Sequence, residues 1–320
     1  MRRIIFLTSL LLIGLNSYSQ LYPPINGQIG STAIHKNNSS FVAWATEVQV
    51  NRGYKKISDP TLGYASAGES SNAIGMPNGA IVSLGDRGEA IITFDVPIID
   101  GNGFDFAVFE NGSISYLELA IVTVSSDGVN YFGFQTHSQT QTNTQIGTFE
   151  TPHAEYLNNI AGKYEGNYGT PFDLNEIPNN PLLDKNNITH IKITDVVGSI
   201  EAQYATYDSF GNAINDSYPT AFQSGGFDLD AVGVINQKTL GLNESNLHLF
   251  SIYPNPATNT IFIKLEEQAA IVIYDLYGRK IKSYPKGNYT TVDISNLPSG
   301  SYLIEVLIDD KREIKKMIIQ

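Results

Sequence analysis

The chain has 320 residues, no cysteine and a formal net charge of −12 at pH 7. Without a thiol there is no cysteine nucleophile, zinc–thiolate site or lipidated N-terminal Cys, and a chain of this size can bury enough core to do without disulfides. The acidity is uneven: residues 21–249 carry 9 Lys and Arg against 24 Asp and Glu, residues 250–320 carry 9 against 8. An acidic larger part speaks against nucleic acid and anionic membrane surfaces as partners and is compatible with divalent cations.

The chain opens with MRRIIFLTSLLLIGLNSYSQ. Arg2 and Arg3 make a positive start, Ile4 to Leu15 a short apolar run, and Ser17 and Ser19 the small residues of a cleavage site. Residues 1–19 are therefore predicted as a secretory signal peptide. No later apolar run reaches the roughly 18 residues of a transmembrane helix.

Residues 20–236 read as β-structure, rich in Tyr and Phe and poor in charge. In Glu89–Val96, Ala90, Ile92, Phe94 and Val96 share one face. Asp100-Gly101 and Asn102-Gly103 are hairpin signals, so Gly103–Asn111 is expected to pair with the preceding strand. Leu117–Ser125, a turn at SDGVN, and Tyr131–Thr136 follow, then a long loop from Gln135 to Asp184 with a short helix expected over 154–161. Ile188–Val196 and Gly226–Val234 complete the pattern. The expected architecture is all-β: a single jelly-roll-like β-sandwich with long loops. Residues 237–249 are polar and weakly patterned and read as a linker. Beyond them, short strands at Thr260–Leu265, Ala270–Leu276, Tyr289–Ser295, Gly300–Ile308 and Glu313–Gln320 predict a small Ig-like sandwich over residues 250–320.

Four motifs in this last segment, YPNPATNTIFIKL, IVIYDLYGRKI, VDISNLPSGSYLIEV and the terminal KKMIIQ, resemble in order the C-terminal sorting domain of the bacterial type IX secretion system. The resemblance implies a two-step route across both membranes of a Gram-negative bacterium, with the type IX machinery as partner and the protein released or held at the outer-membrane surface. In the larger segment, VTVSSDGVNYFGF resembles the strand–turn–strand of discoidin-like and galactose-binding-like sandwiches. FDFAVFENG, GTPFDL and GGFDLDAV are similar to a set of uncharacterised bacterial surface proteins, which implies fold and location but no reaction.

Two groups of residues can carry function. Asp228 and Asp230, two residues apart in a strand, are expected on one face, where like charges repel and desolvation is costly. With Asp100, Asp105 and Glu110 from the Gly-rich turn and strand upstream, they form a candidate set of hard oxygen ligands for a structural calcium ion. The alternative is that such carboxylates bond backbone amides at strand ends. The second group is Tyr156, Tyr164, Tyr168 and Phe172 in the long loop, a candidate aromatic platform for a glycan or a small nutrient such as a vitamin; the alternative is a self-packed loop. No Gly-x-Ser-x-Gly elbow, HExxH or phosphate-binding loop is present. The reading is an exported, non-catalytic binding protein, with an outer-membrane transporter as a further partner if the ligand is a nutrient. The alternatives are a secreted carboxylate-based glycan hydrolase and an adhesin or matrix protein.

Overall fold

The computed structural model describes residues 21–238, 249–265, 267–309 and 311–320. The expected signal peptide and most of the expected linker lie outside them. Contacts divide the chain into two units, Met1–Leu240 and Gly241–Gln320. Among the described residues the only helical elements are four 3-10 turns of three or four residues. The architecture is all-β.

The strands of the first unit are β1 (Ile34–His35), β2 (Ala43–Trp44), β3 (Glu47–Asn51), β4 (Val82–Ser83), β5 (Glu89–Ile98), β6 (Phe106–Glu110) and β7 (Ala120–Ser125). They continue with β8 (Phe132–Gly133), β9 (His137–Ser138), β10 (Leu157–Asn158), β11 (Tyr168–Phe172), β12 (Ile188–Asp195) and β13 (Asp228–Val234). One sheet runs β1-β11-β6-β13-β2, with β4 also paired to β13; the other runs β3-β5-β12-β7-β8; β9 and β10 form a separate pair. All the pairings are antiparallel. Phe106, Val108, Phe172, Leu229, Val232 and Val234 from the first sheet pack in one buried core with Val48, Ile92, Val122, Val124, Ile191 and Ile193 from the second. Alternating apolar faces account for this sandwich.

Strand β6 is buried along its whole length. Phe106 and Val108 face the core between the sheets, while Ala107 and Phe109 pack against Phe41, Trp44 and Ala231 on the other side. A strand covered on both faces leaves no solvated row for a polar side chain, so Glu110 at its end is buried too, at 2% exposure.

Three local expectations are corrected. Strands β5 and β6 do not form a hairpin, because they belong to different sheets. The Asp105 carboxyl accepts from the amides of Gly101 and Leu174 and from the Asn236 side chain, tying the Asp100–Asp105 turn to β11 and β13 rather than back onto β5. No helix forms over 154–161: a 3-10 turn at Ala154–Tyr156 leads directly into β10, whose Leu157 pairs with Ser138. Finally, the long loop contains a strand. β11 lies between β1 and β6 despite Gly169 and Pro171. Gly169 fits there because a Cβ would stand 2.8 Å from the Phe109 ring.

The second unit has strands β14 (Phe250–Tyr253), β15 (Thr260–Leu265), β16 (Ala269–Asp275), β17 (Lys280–Gly287), β18 (Thr291–Asp293), β19 (Gly300–Ile308) and β20 (Lys311–Ile319). They form the sheets β14-β15-β18 and β17-β16-β19-β20. Ile261, Ile263, Ile271, Ile273, Ile304, Val306 and Met317 fill the core. β14 and β17 are additional to the five expected strands; β17 is mostly exposed and alternates weakly, so its sequence carries little strand signal.

Candidate functional site

Where β6 ends, β13 begins. Leu229 pairs with Glu110, and the Asn111 amide donates to the Asp228 carbonyl at 3.2 Å. Adjacent antiparallel strands thus set Glu110 and Asp228 together, at the end of β6 and the start of β13. After Glu110 the chain makes a tight turn in which Ser113 and Tyr116 exchange backbone hydrogen bonds of 2.8 and 2.9 Å. It returns with Glu118 between Leu117 and Leu119, both buried. Gly162 presses on the Glu118 carbonyl so closely that a Cβ would lie 1.8 Å from it, at a φ of +85°. Glycine is needed there on both counts. Below, Asp216 accepts from the amides of Leu119 at 3.0 Å and Ser217 at 2.8 Å, which anchors the returning segment.

These pieces enclose a cleft of about 360 Å³ lined by Glu110, Tyr116, Glu118 and Asp228, with Asn111, Ser113 and Ser224 adding oxygen donors. At its rim Phe149 and Phe222 face each other with centroids 5.9 Å apart, and both rings are exposed, at 79% and 39%.

The electrostatics of the floor are unusual. Glu110 Oε2 is buried with no hydrogen-bond partner. Burial drives the Glu110 carboxyl well above the usual carboxylate range, Asp228, Asp216 and Asp230 add to the shift, and the Gly112 backbone, against which Oε2 is packed, opposes it. Burial does the same to Glu118, reinforced by Asp228, Glu110, Asp195 and Asp216. Asp228 is pushed up to about 6 by burial, against the Ser83 hydroxyl that donates to it and the Arg52 charge. Arg52 gives Asp228 a nearby positive charge without a direct ion pair, since its guanidinium donates to the carbonyls of Ala67, Ser83 and Gly68. Among the described residues no ion pair involves Glu110, Glu118 or Asp228. Burial first, and the surrounding carboxylates after it, raise the Tyr116 phenol, which is therefore a neutral donor. Buried carboxyls without a counter-charge must either hold protons or hold a cation.

Of the residues singled out by sequence, the structure joins Glu110 to Asp228 and separates both from Asp230. The register of β13 shifts between Leu229 and Ala231, and this bulge sends the Asp230 carboxyl to the amides of Asn78 and Gly79 at 3.1–3.3 Å. Asp100 and Asp105 come together elsewhere, with Asp173, their carboxyl oxygens lying within 4.8 Å of one another. There Asp105 is fully engaged by amides, and Asp173 caps a 3-10 turn through the Asn175 amide.

The four aromatic residues do not form one platform. Phe172 is a core residue stacked on Phe106. Tyr164 is 1% exposed and its hydroxyl bonds Thr32 Oγ1 at 2.8 Å. Tyr168 stands edge-on to His35 in the outer part of the sheet. Tyr156 alone lines an opening, a separate cleft of about 510 Å³ with Thr140, Ile146 and His153. Sequence reasoning missed Glu118, Tyr116 and the Phe149–Phe222 pair. The detectable signal was Glu118 itself, a carboxylate between two leucines.

Residues 251–320 match the secretion system C-terminal sorting domain. The sorting domain places the protein on the type IX route, secreted or at the cell surface of a Bacteroidetes-type Gram-negative bacterium. Among the described residues no helix is long and apolar enough to cross a membrane. No curated protein matches the chain. Solved structures of Ruminococcus gnavus β-glucuronidase are similar at a distance. The complex with C6-substituted uronic isofagomine shares 13% identity over 95% of this chain and 47% of that chain, with a TM-score of 0.22. The complex with N1-substituted uronic isofagomine shares 14% identity over 94% and 48%, also at 0.22. The chain thus spans about half the length of those enzymes, and a similarity this weak carries no argument about the sorting domain's cargo.

Proposed function

We propose that the larger unit is an exported, non-catalytic binding module that takes a polyhydroxylated ligand, a glycan, in the cleft over Glu110, Glu118 and Asp228. The observation that carries this is the combination, in one opening, of an exposed aromatic pair with a carboxylate floor. Ring faces such as those of Phe149 and Phe222 stack on the C–H faces of sugars, and a few convergent polar groups take the hydroxyls. The sorting domain delivers the unit outside the cell, where such ligands are met.

The test is calorimetric titration of the full chain with a panel of glycans. Phe149→Ala and Phe222→Ala should each weaken binding by about 1 kcal/mol, roughly fivefold, with unchanged melting because both rings are exposed. Silence across the panel, or binding indifferent to both substitutions, rejects the reading.

One observation favours a secreted glycan hydrolase instead. Asp228, pushed up to about 6, lines the same cleft as Glu110 and Glu118, which burial also holds well above the usual carboxylate range. Carboxyls raised by burial in one cleft suit a general acid role beside a carboxylate base. Turnover of any panel glycan that disappears in Asp228→Asn would replace binding with hydrolysis.

A further inference from the structure

We propose that the outward face of the sheet β3-β5-β12-β7-β8 carries a second binding site, built on Glu47, Thr93 and His190, that takes one pyranose ring at the end of a glycan. The site is separate from the cleft over Glu110 and does not depend on what that cleft binds.

Register puts the three polar side chains in one row. Glu47 pairs with Thr93, and Thr93 with His190, across β3, β5 and β12. Directly opposed residues share a face, with Cβ atoms about 5 Å apart from strand to strand. The neighbouring row on that face aligns Gln49 and Ile91. With Gly128 and Tyr131 these residues line a cavity of about 190 Å³. One wall is the turn after β7, and it is rigid. Asp127 accepts from the amides of Val129 and Asn130, both at 2.8 Å, and from the Asn130 side chain at 2.7 Å. Gly128, at a φ of +74°, lies so close to the His190 ring that a Cβ would stand 2.9 Å from Cε1. Lys192 Nζ lies 4.7 Å from the centroid of the Tyr131 ring. Imidazole and phenol ring are thus held in place before a ligand arrives, which lowers the ordering cost of binding.

Unused hydrogen-bonding capacity sets this cavity apart. In the cleft beside Tyr156, Thr151 accepts the Leu117 amide, Gln141 closes onto Asn143 and Thr144, and Thr140 bonds Ser138 and the Asn215 amide. On the sheet face, His190 engages only Nδ1, with Thr189 Oγ1 at 2.8 Å. Glu47 accepts only from Gln49, at 3.2 Å. Among the described residues the Thr93 hydroxyl makes no hydrogen bond, and no ion pair takes Glu47; the nearby Lys192 pairs with Glu89 at 3.6 Å.

These groups select the ligand. Carboxylate, hydroxyl, amide and imidazole offer donors and acceptors together, and Ile91 and the Tyr131 ring add apolar surface. A pyranose has the matching pattern, with hydroxyls around its edge and C–H groups on its faces. The volume equals about six waters at roughly 30 Å³ each. That is room for one ring, below the roughly 300–1,000 Å³ of pockets for drug-sized ligands, so a glycan enters by its end.

The experiment titrates the purified full chain with glucose, galactose and mannose in a calorimeter and follows the histidine ring signals by NMR. At ordinary ligand efficiency a hexose of about 12 non-hydrogen atoms binds with a Kd of about 1–10 mM. Thr93→Val and Glu47→Gln should each weaken the preferred hexose about three- to tenfold, the loss of one hydrogen bond, while melting as wild type does. The His190 signals, identified as those missing in His190→Gln, should move along the same binding curve. Phe149→Ala, on the other cleft, should leave hexose binding unchanged. A disaccharide ending in the preferred hexose should bind within about threefold of it; a gain of about tenfold or more would overturn the single-ring site. Hexose binding that Thr93→Val weakens, in a chain indifferent to Phe149→Ala and Phe222→Ala for every glycan, would support this site and sink only the cleft reading. Hexose binding lost in Phe149→Ala but kept in Thr93→Val and Glu47→Gln would overturn this site and leave the cleft reading standing. Silence toward all three sugars at about 50 mM, well above the expected Kd, or binding that leaves the His190 signals unmoved, would also overturn it.

Discussion

Phe172 stacks on Phe106 with ring centroids 5.2 Å apart and planes within 13°. The pair belongs to the core between the two sheets, joined by Phe134 at 4.9 Å from Phe172. The segment that carries Phe172 is therefore structural. Phe172→Ala should lower stability by about 3–5 kcal/mol, the cost of a large buried aromatic. Urea denaturation followed by Trp44 fluorescence measures this; a loss below about 1 kcal/mol would mean that β11 is not in the core.

Asp230 is explained by the amides of Asn78 and Gly79. Asp230→Ala leaves those donors without their acceptor and should cost about 1–3 kcal/mol. Glycan binding should stay as in wild type, because Asp230 is a backbone clamp and does not line the cleft. Parallel melting and calorimetry on the variant separate the two roles, and a shared loss of glycan binding would contradict this division.

Stability should fall as pH rises from mildly acidic to neutral. Burial pushes Asp216 up to about 7, opposed by the Ser217 and Leu119 amides, and pushes Asp86 up to about 7, opposed by the Ile57 amide and the Arg87 charge. An unfolded Asp titrates near about 3.9. Between about 4 and about 7 the folded state thus binds the more protons, and each such group costs up to about 1.4 kcal/mol per pH unit as pH rises. Carboxyls held low act outside that window; Asp127, fixed by the Asn130 backbone and side-chain amides, matters only below it. Urea midpoints should be higher at pH 5 than at pH 8. A midpoint that climbs from pH 5 to pH 8 would show that these aspartates are ionised without penalty.

Deleting residues 251–320 should strand the larger unit in the periplasm with its fold intact. Its main core cluster is built from residues between Ala45 and Val234. Fractionation and immunoblotting read the location, and circular dichroism of the purified fragment reads the fold. Normal appearance of the truncated protein outside the cell would detach export from the sorting domain.

Sequence alone determined the all-β class and the sorting segment, because both rest on local information. Alternation in Glu89–Val96 or Gly300–Ile308 reports a half-buried strand wherever it pairs, and four ordered motifs within 70 residues need no tertiary context. It also picked out Glu110 and Asp228, since charge in an apolar strand is conspicuous before folding. Tertiary structure alone decided which carboxylates meet. A single bulge between Leu229 and Ala231 separates Asp230 from Asp228, and a one-residue slip in a strand redirects side chains with no trace in composition. Likewise, Phe172 looks like a loop aromatic until β11 is seen between β1 and β6, and Tyr164 until it is seen packed on Ile25, Leu117 and Ala154. Glu118 lines the same cleft as Glu110, on a segment whose Leu119 amide is held by Asp216, about a hundred residues further on. Local periodicity fixes what a segment can become; long-range pairing fixes which groups share one desolvated space, and the chemistry of the cleft depends on that.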